Sequence, residues 1–148
     1  MYRVAYSGGT FDLMHEGHLE LLEHCKKIAD YVVIALNTDD FVKRFKGRPP
    51  VMGFEQRRRL LESCKFVDEV IPNYGGEDST LPILDVNPDV IVIGMDWLEK
   101  DYCKQMSFTP KWLSDHNISL CYVPRTTGMS TTRLKKEVYD YVSDTLLR

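Results

Sequence analysis

Apolar residues follow two alternating patterns along the chain. Five short runs are rich in β-branched and aromatic residues: Tyr2–Tyr6, Tyr31–Leu36, Val67–Ile71, Val90–Gly94 and Leu120–Val123. Between them apolar positions recur at helical spacing. His15–Ala29 places Leu19, Leu22 and Ala29 near one face, and Glu55–Cys64 sets Leu60, Leu61 and Cys64 against a polar remainder. Near-continuously apolar strands alternating with helices imply a parallel sheet covered on both faces. Ser130–Val142 carries Leu134, Val138 and Tyr141 at i, i+4 and i+7, which predicts a C-terminal helix docking on that sheet. Phe41–Gly53, Asn73–Thr80 and Leu98–Asn117 are the least regular stretches, and "KGRPPVMG" within the first is a basic, Pro/Gly-rich loop expected to be mobile. Each follows a strand. In an open α/β sheet, ligands sit beyond the carboxyl ends of the strands, where strand order reverses, so these stretches should converge there.

Composition narrows the class. A chain of 148 residues without repeat, low-complexity tract or linker is expected to form one domain over residues 1–148. A chain of this length buries roughly 70% of its unfolded surface. It is 43% hydrophobic and 28% charged, as soluble globular proteins are. Nineteen basic and 22 acidic side chains leave a net charge of -3, which argues against nucleic acid as a partner. The apolar runs are strand-sized, so no membrane span is expected. "MYRVAYSGG" lacks the charged and apolar regions of a signal peptide. Cys25, Cys64, Cys103 and Cys121 form no C-x-x-C pair, so reduced thiols in a cytoplasmic protein are expected.

The candidate chemistry begins after the first strand, in "YSGGTFDLMHEGHLELLEHC". Gly8-Gly9-Thr10 is a turn where backbone lacking Cβ can approach a ligand closely. His15 and His18 then share one face at a helix N-terminus, where free N–H groups and the helix dipole favour anions. Two imidazole donors there suit a phosphate clamp, with Gly17 between them admitting a bulky phosphate. The plain alternative is a pair of surface or capping histidines. H-x-x-H lacks a matched third ligand for zinc, so no metal site is assigned. Neither a Walker loop nor a G-x-G-x-x-G fingerprint is present.

"RTTGMSTTRLKKE" repeats the same physics near the other end of the chain. A strand leads to Arg125, a turn at Gly128, and then Ser130, Thr131 and Thr132 at a helix start. Hydroxyls, backbone N–H groups and an arginine again suit phosphate, the plain alternative being an ordinary hydroxyl-capped helix. Two such helix starts on one sheet edge, with Lys46 and Arg57 between them in sequence, favour a nucleotide phosphate site over coincidence.

These residues together resemble the cytidylyltransferase family of nucleotidyltransferases. "GGTFDLMHEGHLELL" is similar to its G-T-F-D…H-x-G-H signature, and "RTTGMSTT" to its R-T-x-G-[IV]-S-T-T signature. "FEQRRRLLESCKFVDEVIP" and "IGMDW" match intervening blocks, so the resemblance covers nearly the whole chain in order. It points to the members acting on glycerol-3-phosphate, phosphoethanolamine and phosphocholine, with the length most like the small glycerol-3-phosphate type. The fold implied is a Rossmann-like three-layer sandwich around a five-stranded parallel sheet of order 3-2-1-4-5. The reaction implied is in-line attack of a phosphorylated alcohol on the α-phosphorus of CTP, releasing pyrophosphate with Mg²⁺ bound through the nucleotide phosphates. A homodimer is also implied.

The resemblance assigns residue roles. His15, His18, Lys46 and Arg125 would be catalytic. The nucleotide would be held by Gly9, Thr10, Phe11, His15, His18, Gly94, Arg125, Thr126, Gly128, Ser130 and Thr131. Asp96 and Trp97 would read cytosine, a carboxylate accepting from the exocyclic amine. Asp39, Lys46 and Arg57 would face the acceptor, and Asp12 would brace its loop. The chain departs from the family pattern in carrying Met95 where small members have a second acidic residue. Leu98–Asn117 is also longer than the usual connector, and the spacing near Phe45–Arg48 leaves Lys43 as the alternative lysine. Tyr102, Lys104, Phe108, Lys111 and Trp112 suit an acceptor pocket or lid, although Thr109-Pro110 could simply begin a crossover helix. Two other readings stay open: an adenylyltransferase of the same fold using ATP with a phosphorylated sugar or cofactor precursor, and a non-catalytic nucleotide-binding module.

Overall fold

The computed structural model describes residues 1–94 and 106–147. Its elements run β1 (Tyr2–Gly9), α1 (Glu16–Ile28), β2 (Ala29–Leu36), α2 (Asp39–Lys46), α3 (Phe54–Glu62) and β3 (Glu69–Pro72). Then follow α4 (Thr80–Val86), β4 (Val90–Gly94), α5 (Pro110–Asp115), β5 (Ser119–Val123) and α6 (Thr131–Leu146). The strands form one sheet in the order β3-β2-β1-β4-β5. Every pairing is parallel, with Gly9 beside Leu36 and Gly94 beside Val123 at the carboxyl edge.

Both sheet faces are packed, which is why the inner strands are apolar at consecutive positions. On one face Val32, Ile34, Leu36, Ala5 and Val92 meet Leu22 and Cys25 of α1 and Leu61 of α3. On the other Tyr6, Ala35, Ile91 and Ile93 meet Ile83 of α4 and Leu113 of α5. The chain leaves β1 for β2 and β3, then returns to β4 beside β1. Strand order therefore reverses between β1 and β4, and the crevice at a reversal is where this architecture places ligands.

Three expectations need correction. Asp39–Lys46, within or beside the stretch read as irregular, is helical. Its signals are local: Thr38 Oγ1 accepts the Phe41 N–H, Asp39 and Asp40 occupy the first turn, Lys43, Arg44 and Lys46 the last, and Gly47 takes φ 81° at the end. Thr80–Val86 is also a helix where the sequence reading assigns no element. Its proline lies in the first turn, where no helical N–H is needed, and Asn87 closes it at φ 51°.

The C-terminal helix forms but does not dock on the sheet. None of its described residues is buried, and Val138 and Tyr141 are 52% and 75% exposed. Both sheet faces are already occupied by other helices, and the segment after β5 leads over the start of α1 instead. Helical periodicity reports a one-sided stripe without saying what covers it.

Candidate active site

The two histidines begin α1 by capping each other. His15 is the N-cap: its Nδ1 accepts the Gly17 N–H at 3.1 Å, while its own N–H donates to His18 Nδ1 at 3.2 Å. This is a capping box written in imidazoles in place of hydroxyl and carboxylate. The rings stack with centroids 3.8 Å apart, and His18 lies against Phe11 at 5.2 Å. Each Nδ1 is used as an acceptor, so each neutral ring carries its proton on Nε2. His15 Nε2–H then donates to Thr131 Oγ1 at 3.1 Å, and that hydroxyl donates to the Asp12 carbonyl at 3.1 Å.

The surroundings keep the rings neutral. Burial, then the nearby His15 and Arg125, push His18 down to about 3, against a smaller upward pull from Asp12. His15 is also lowered, by burial first and Arg125 second. Neutral rings at a cationic site can donate to an anion from Nε2 without releasing a proton.

The second helix start is pinned to the first. Glu20 of α1 accepts the Thr126 N–H at 3.0 Å and the Thr126 hydroxyl, and its carboxyl is held below the usual range chiefly by that hydroxyl. Ser130 caps α6 by accepting the Arg133 N–H at 3.1 Å. Gly17 is required here for a reason other than phosphate access. A Cβ on it would lie 2.6 Å from the Met129 carbonyl oxygen and 3.0 Å from the His15 ring. The glycine lets the two helix starts touch.

Asp12 braces its surroundings as expected. Its carboxylate accepts the Val51 and Met52 N–H groups at 2.8 and 3.0 Å, tying the basic loop down, with Lys135 of α6 at 3.8 Å.

One cleft at the carboxyl edge collects Gly9, His15, His18, Gly94, Arg125 and Thr131. Other expected residues stand behind it. Phe11 is buried at φ 51°, and Thr10 accepts from Asn37 through its hydroxyl and from Arg57 through its carbonyl. Thr126 binds Glu20, Ser130 is the cap, and the Gly128 carbonyl accepts from Arg133. Lys43 and Lys46 are exposed on α2, whose Phe41 and Phe45 line the cleft.

Arg57 departs most from its expected place facing the acceptor. It is fully buried (0% exposed) and donates to the carbonyls of Met52, Thr10 and Asn37 and to Asp39 Oδ1. Asp39 also accepts the Phe54 N–H at 3.2 Å. The pair ties β1, α2 and α3 together. A lone arginine among Arg57, Arg58 and Arg59 gives no sequence sign of which one turns inward. Met95, Asp96, Trp97, Tyr102 and Lys104 lie outside the described residues. Phe108 and Trp112 stack at 5.7 Å beside the second core, and Pro110 opens α5 at its first position, as the crossover alternative expected.

Sequence reasoning missed Glu20, Asn37 and Asn73, all on the cleft. Asn37 and Asn73 had a usable signal, each directly following the last residue of a strand. Among the described residues no group of three or more His, Cys, Asp or Glu side chains could hold a metal, and no helix is long and apolar enough to cross a membrane.

Comparison with known proteins agrees with this geometry. The chain is 40% identical over 131 residues to glycerol-3-phosphate cytidylyltransferase of Bacillus subtilis (strain 168), covering 88% of this chain and 92% of that protein. The same enzyme of Staphylococcus aureus is 37% identical, with 88% and 91% covered. A lipopolysaccharide core biosynthesis protein from Thermoplasma volcanium superimposes with TM-score 0.67 at 25% identity, over 85% of this chain and 98% of that one. Pantothenate synthetase from Thermus thermophilus shares the fold at TM-score 0.59 and 17% identity, over 90% and 64%. Residues 6–137 match the family described as cytidylyltransferase-like, and the chain belongs to that family.

Proposed function

We propose that this chain is a CTP-dependent cytidylyltransferase that forms a CDP-alcohol, with glycerol-3-phosphate the favoured acceptor. The observation that carries the reading is the convergence of His15, His18 and Arg125 on one cleft. The names of its relatives supply the substrates.

An oxygen of the acceptor phosphate attacks the α-phosphorus of CTP, the bond from that phosphorus to the bridging oxygen breaks, and pyrophosphate leaves. No side-chain nucleophile is required, so positioning and charge stabilisation carry the rate. His18, neutral and donating from Nε2, meets charge developing on the α-phosphate oxygens, a role worth on the order of 10²–10³ in rate. His15 holds Thr131 in place and adds a second donor when the nucleotide displaces that contact. Arg125, with the backbone around Ser130 and Thr131, takes the outer phosphates and the leaving pyrophosphate. Lys46, or Lys43 in its place, meets the incoming phosphate from α2. Asp96 and Trp97 read cytosine. Arg57 and Asp39 act from behind the cleft, by fixing Thr10 and the start of α3. Mg²⁺ bound through the nucleotide phosphates would supply charge neutralisation there.

We also read the chain as one cytoplasmic domain over residues 1–148 that works as a homodimer. Free Cys25, Cys64 and Cys121 accord with a reducing compartment. Pyrophosphate release across CTP, ATP, GTP and UTP with glycerol-3-phosphate, phosphoethanolamine and phosphocholine tests the proposal. Turnover specific to CTP with glycerol-3-phosphate is expected. Preference for ATP would make it an adenylyltransferase, and nucleotide binding without pyrophosphate a binding module.

A further inference from the structure

Beyond the imidazoles the cleft continues over the ends of β2 and β3, where Leu36 and Pro72 pair side by side and Asn37 and Asn73 follow them. Their amides form a chain. Asn73 Nδ2 donates to Asn37 Oδ1 at 2.9 Å, and Asn37 Nδ2 donates to Thr10 Oγ1 at 3.0 Å. Asn73 lines the cleft yet is 4% exposed, and its Oδ1 is buried with no hydrogen-bond partner among the described residues. A buried amide oxygen left unpaired is costly, and native proteins rarely tolerate one without a use.

The amide is also held rigidly. The Asn73 N–H donates to the Leu36 carbonyl at 2.8 Å, extending the sheet by one residue. The turn beyond it is tight: a Cβ at Gly75 would lie 2.0 Å from the Asp78 carbonyl oxygen, and Gly76 takes φ +59°. Ser107 Oγ donates to the Glu77 carbonyl at 2.8 Å and fixes the far side of the loop.

The rest of this lobe selects the ligand chemistry. Phe41 and Phe45 present stacked rings with centroids 5.8 Å apart. They could face an ammonium, but the Arg44 guanidinium already lies 5.9 Å over Phe41. The neighbouring carboxylates are committed, Asp39 to Arg57 at 2.7 Å and Glu77 to Arg44 at 3.0 Å. Among the described residues, what remains in this lobe is a neutral amide beside phenyl faces, suited to a hydroxyl on a short carbon chain. A hydroxyl both donates and accepts, so it satisfies Asn73 in either orientation of the amide pair.

We propose that Asn73, positioned by Asn37, binds a free hydroxyl of the acceptor and makes polyol phosphates, rather than phosphorylated amino alcohols, the substrate class. This rests on the cytidylyl-transfer reading above. The test compares wild type and Asn73→Ala with CTP and three acceptors: glycerol-3-phosphate, propyl phosphate, which lacks both hydroxyls, and phosphoethanolamine. Wild type should prefer glycerol-3-phosphate over the other two by on the order of 10²-fold or more in kcat/KM, as sites built around a substrate hydroxyl do. N73A should collapse that ratio by lowering only the glycerol-3-phosphate arm, with the KM for CTP unchanged. Because the ratio is taken within one preparation, a partly folded variant gives the same answer. An equal fall for all acceptors, or a wild type that does not discriminate, would overturn the assignment. Absence of pyrophosphate from wild type with every acceptor would instead fail the transfer reading itself, and this proposal with it.

Discussion

The two helix starts that meet at the cleft are made of similar parts and held by different forces. α1 is seated on the core through Leu22 and Cys25, both fully buried, and its capping histidines inherit that rigidity. α6 buries none of its described residues, and its start is located by Glu20, by the His15–Thr131–Asp12 chain and by contact across Gly17. Half of this site is therefore placed by hydrophobic packing and half by polar tethers. Packing changes should cost stability first, and tether changes should cost alignment first.

The largest effect should come from His18. His18→Ala is expected to lower kcat on the order of 10²–10³, measured by pyrophosphate release. Its unfolding free energy should fall only by what a lost cap contributes, about 1 kcal/mol. A variant of near-normal turnover would remove the phosphate clamp from the account.

Gly17→Ala should come next, because its Cβ would lie within 2.6 Å of the Met129 carbonyl and force the helix starts apart. A misplacement of about 1 Å at a positioned site can cost on the order of 10² in rate. Steady-state kinetics beside a thermal melt will show whether activity falls further than stability. Unchanged activity would mean the starts need not touch.

Glu20→Ala frees Thr126 and Thr127 on an exposed surface. A roughly tenfold loss in kcat/KM is expected, as for one charge-assisted contact, with the melting midpoint unmoved. A matching loss of stability would show instead that the tether belongs to the scaffold.

The pH dependence falls on stability, not on rate. His18 falls from 6.5 to about 3 on folding, so the unfolded chain binds the extra proton between those values. Stability should therefore decline as pH drops from about 6.5 towards 3. Denaturant titrations across that range should show a shallower decline for His18→Gln. The smallest effect belongs to the outer face of α6, where Val138→Ser should change monomer stability by under about 0.5 kcal/mol.

The same division explains what could be read from sequence. The strands and the α1 start were legible because buried strands and capped amphipathic helices write themselves as local patterns, whereas the sheet order, β3-β2-β1-β4-β5, followed from the family resemblance. Residue type was also enough to pick out His15, His18, Arg125 and Thr131, which the fold brings onto one cleft. Burial of Arg57, the Glu20 tether and the Asn37–Asn73 chain were not, because each joins residues far apart in sequence whose types are ordinary on a surface. The undocked α6 has the opposite cause: its stripe is real, and only the tertiary arrangement decides what it meets.

The central claim is that both helix starts address one triphosphate, α1 at the reacting phosphorus and α6 at the outer phosphates. Calorimetric titration of Arg125→Ala and His18→Ala with CTP and with CMP tests it directly. Arg125→Ala should weaken CTP by about ten- to a hundredfold and leave CMP within a few-fold of wild type, while His18→Ala should leave the ratio of the two affinities close to wild type. Equal losses of CTP and CMP on removing Arg125 would contradict the claim and leave α6 a structural role alone.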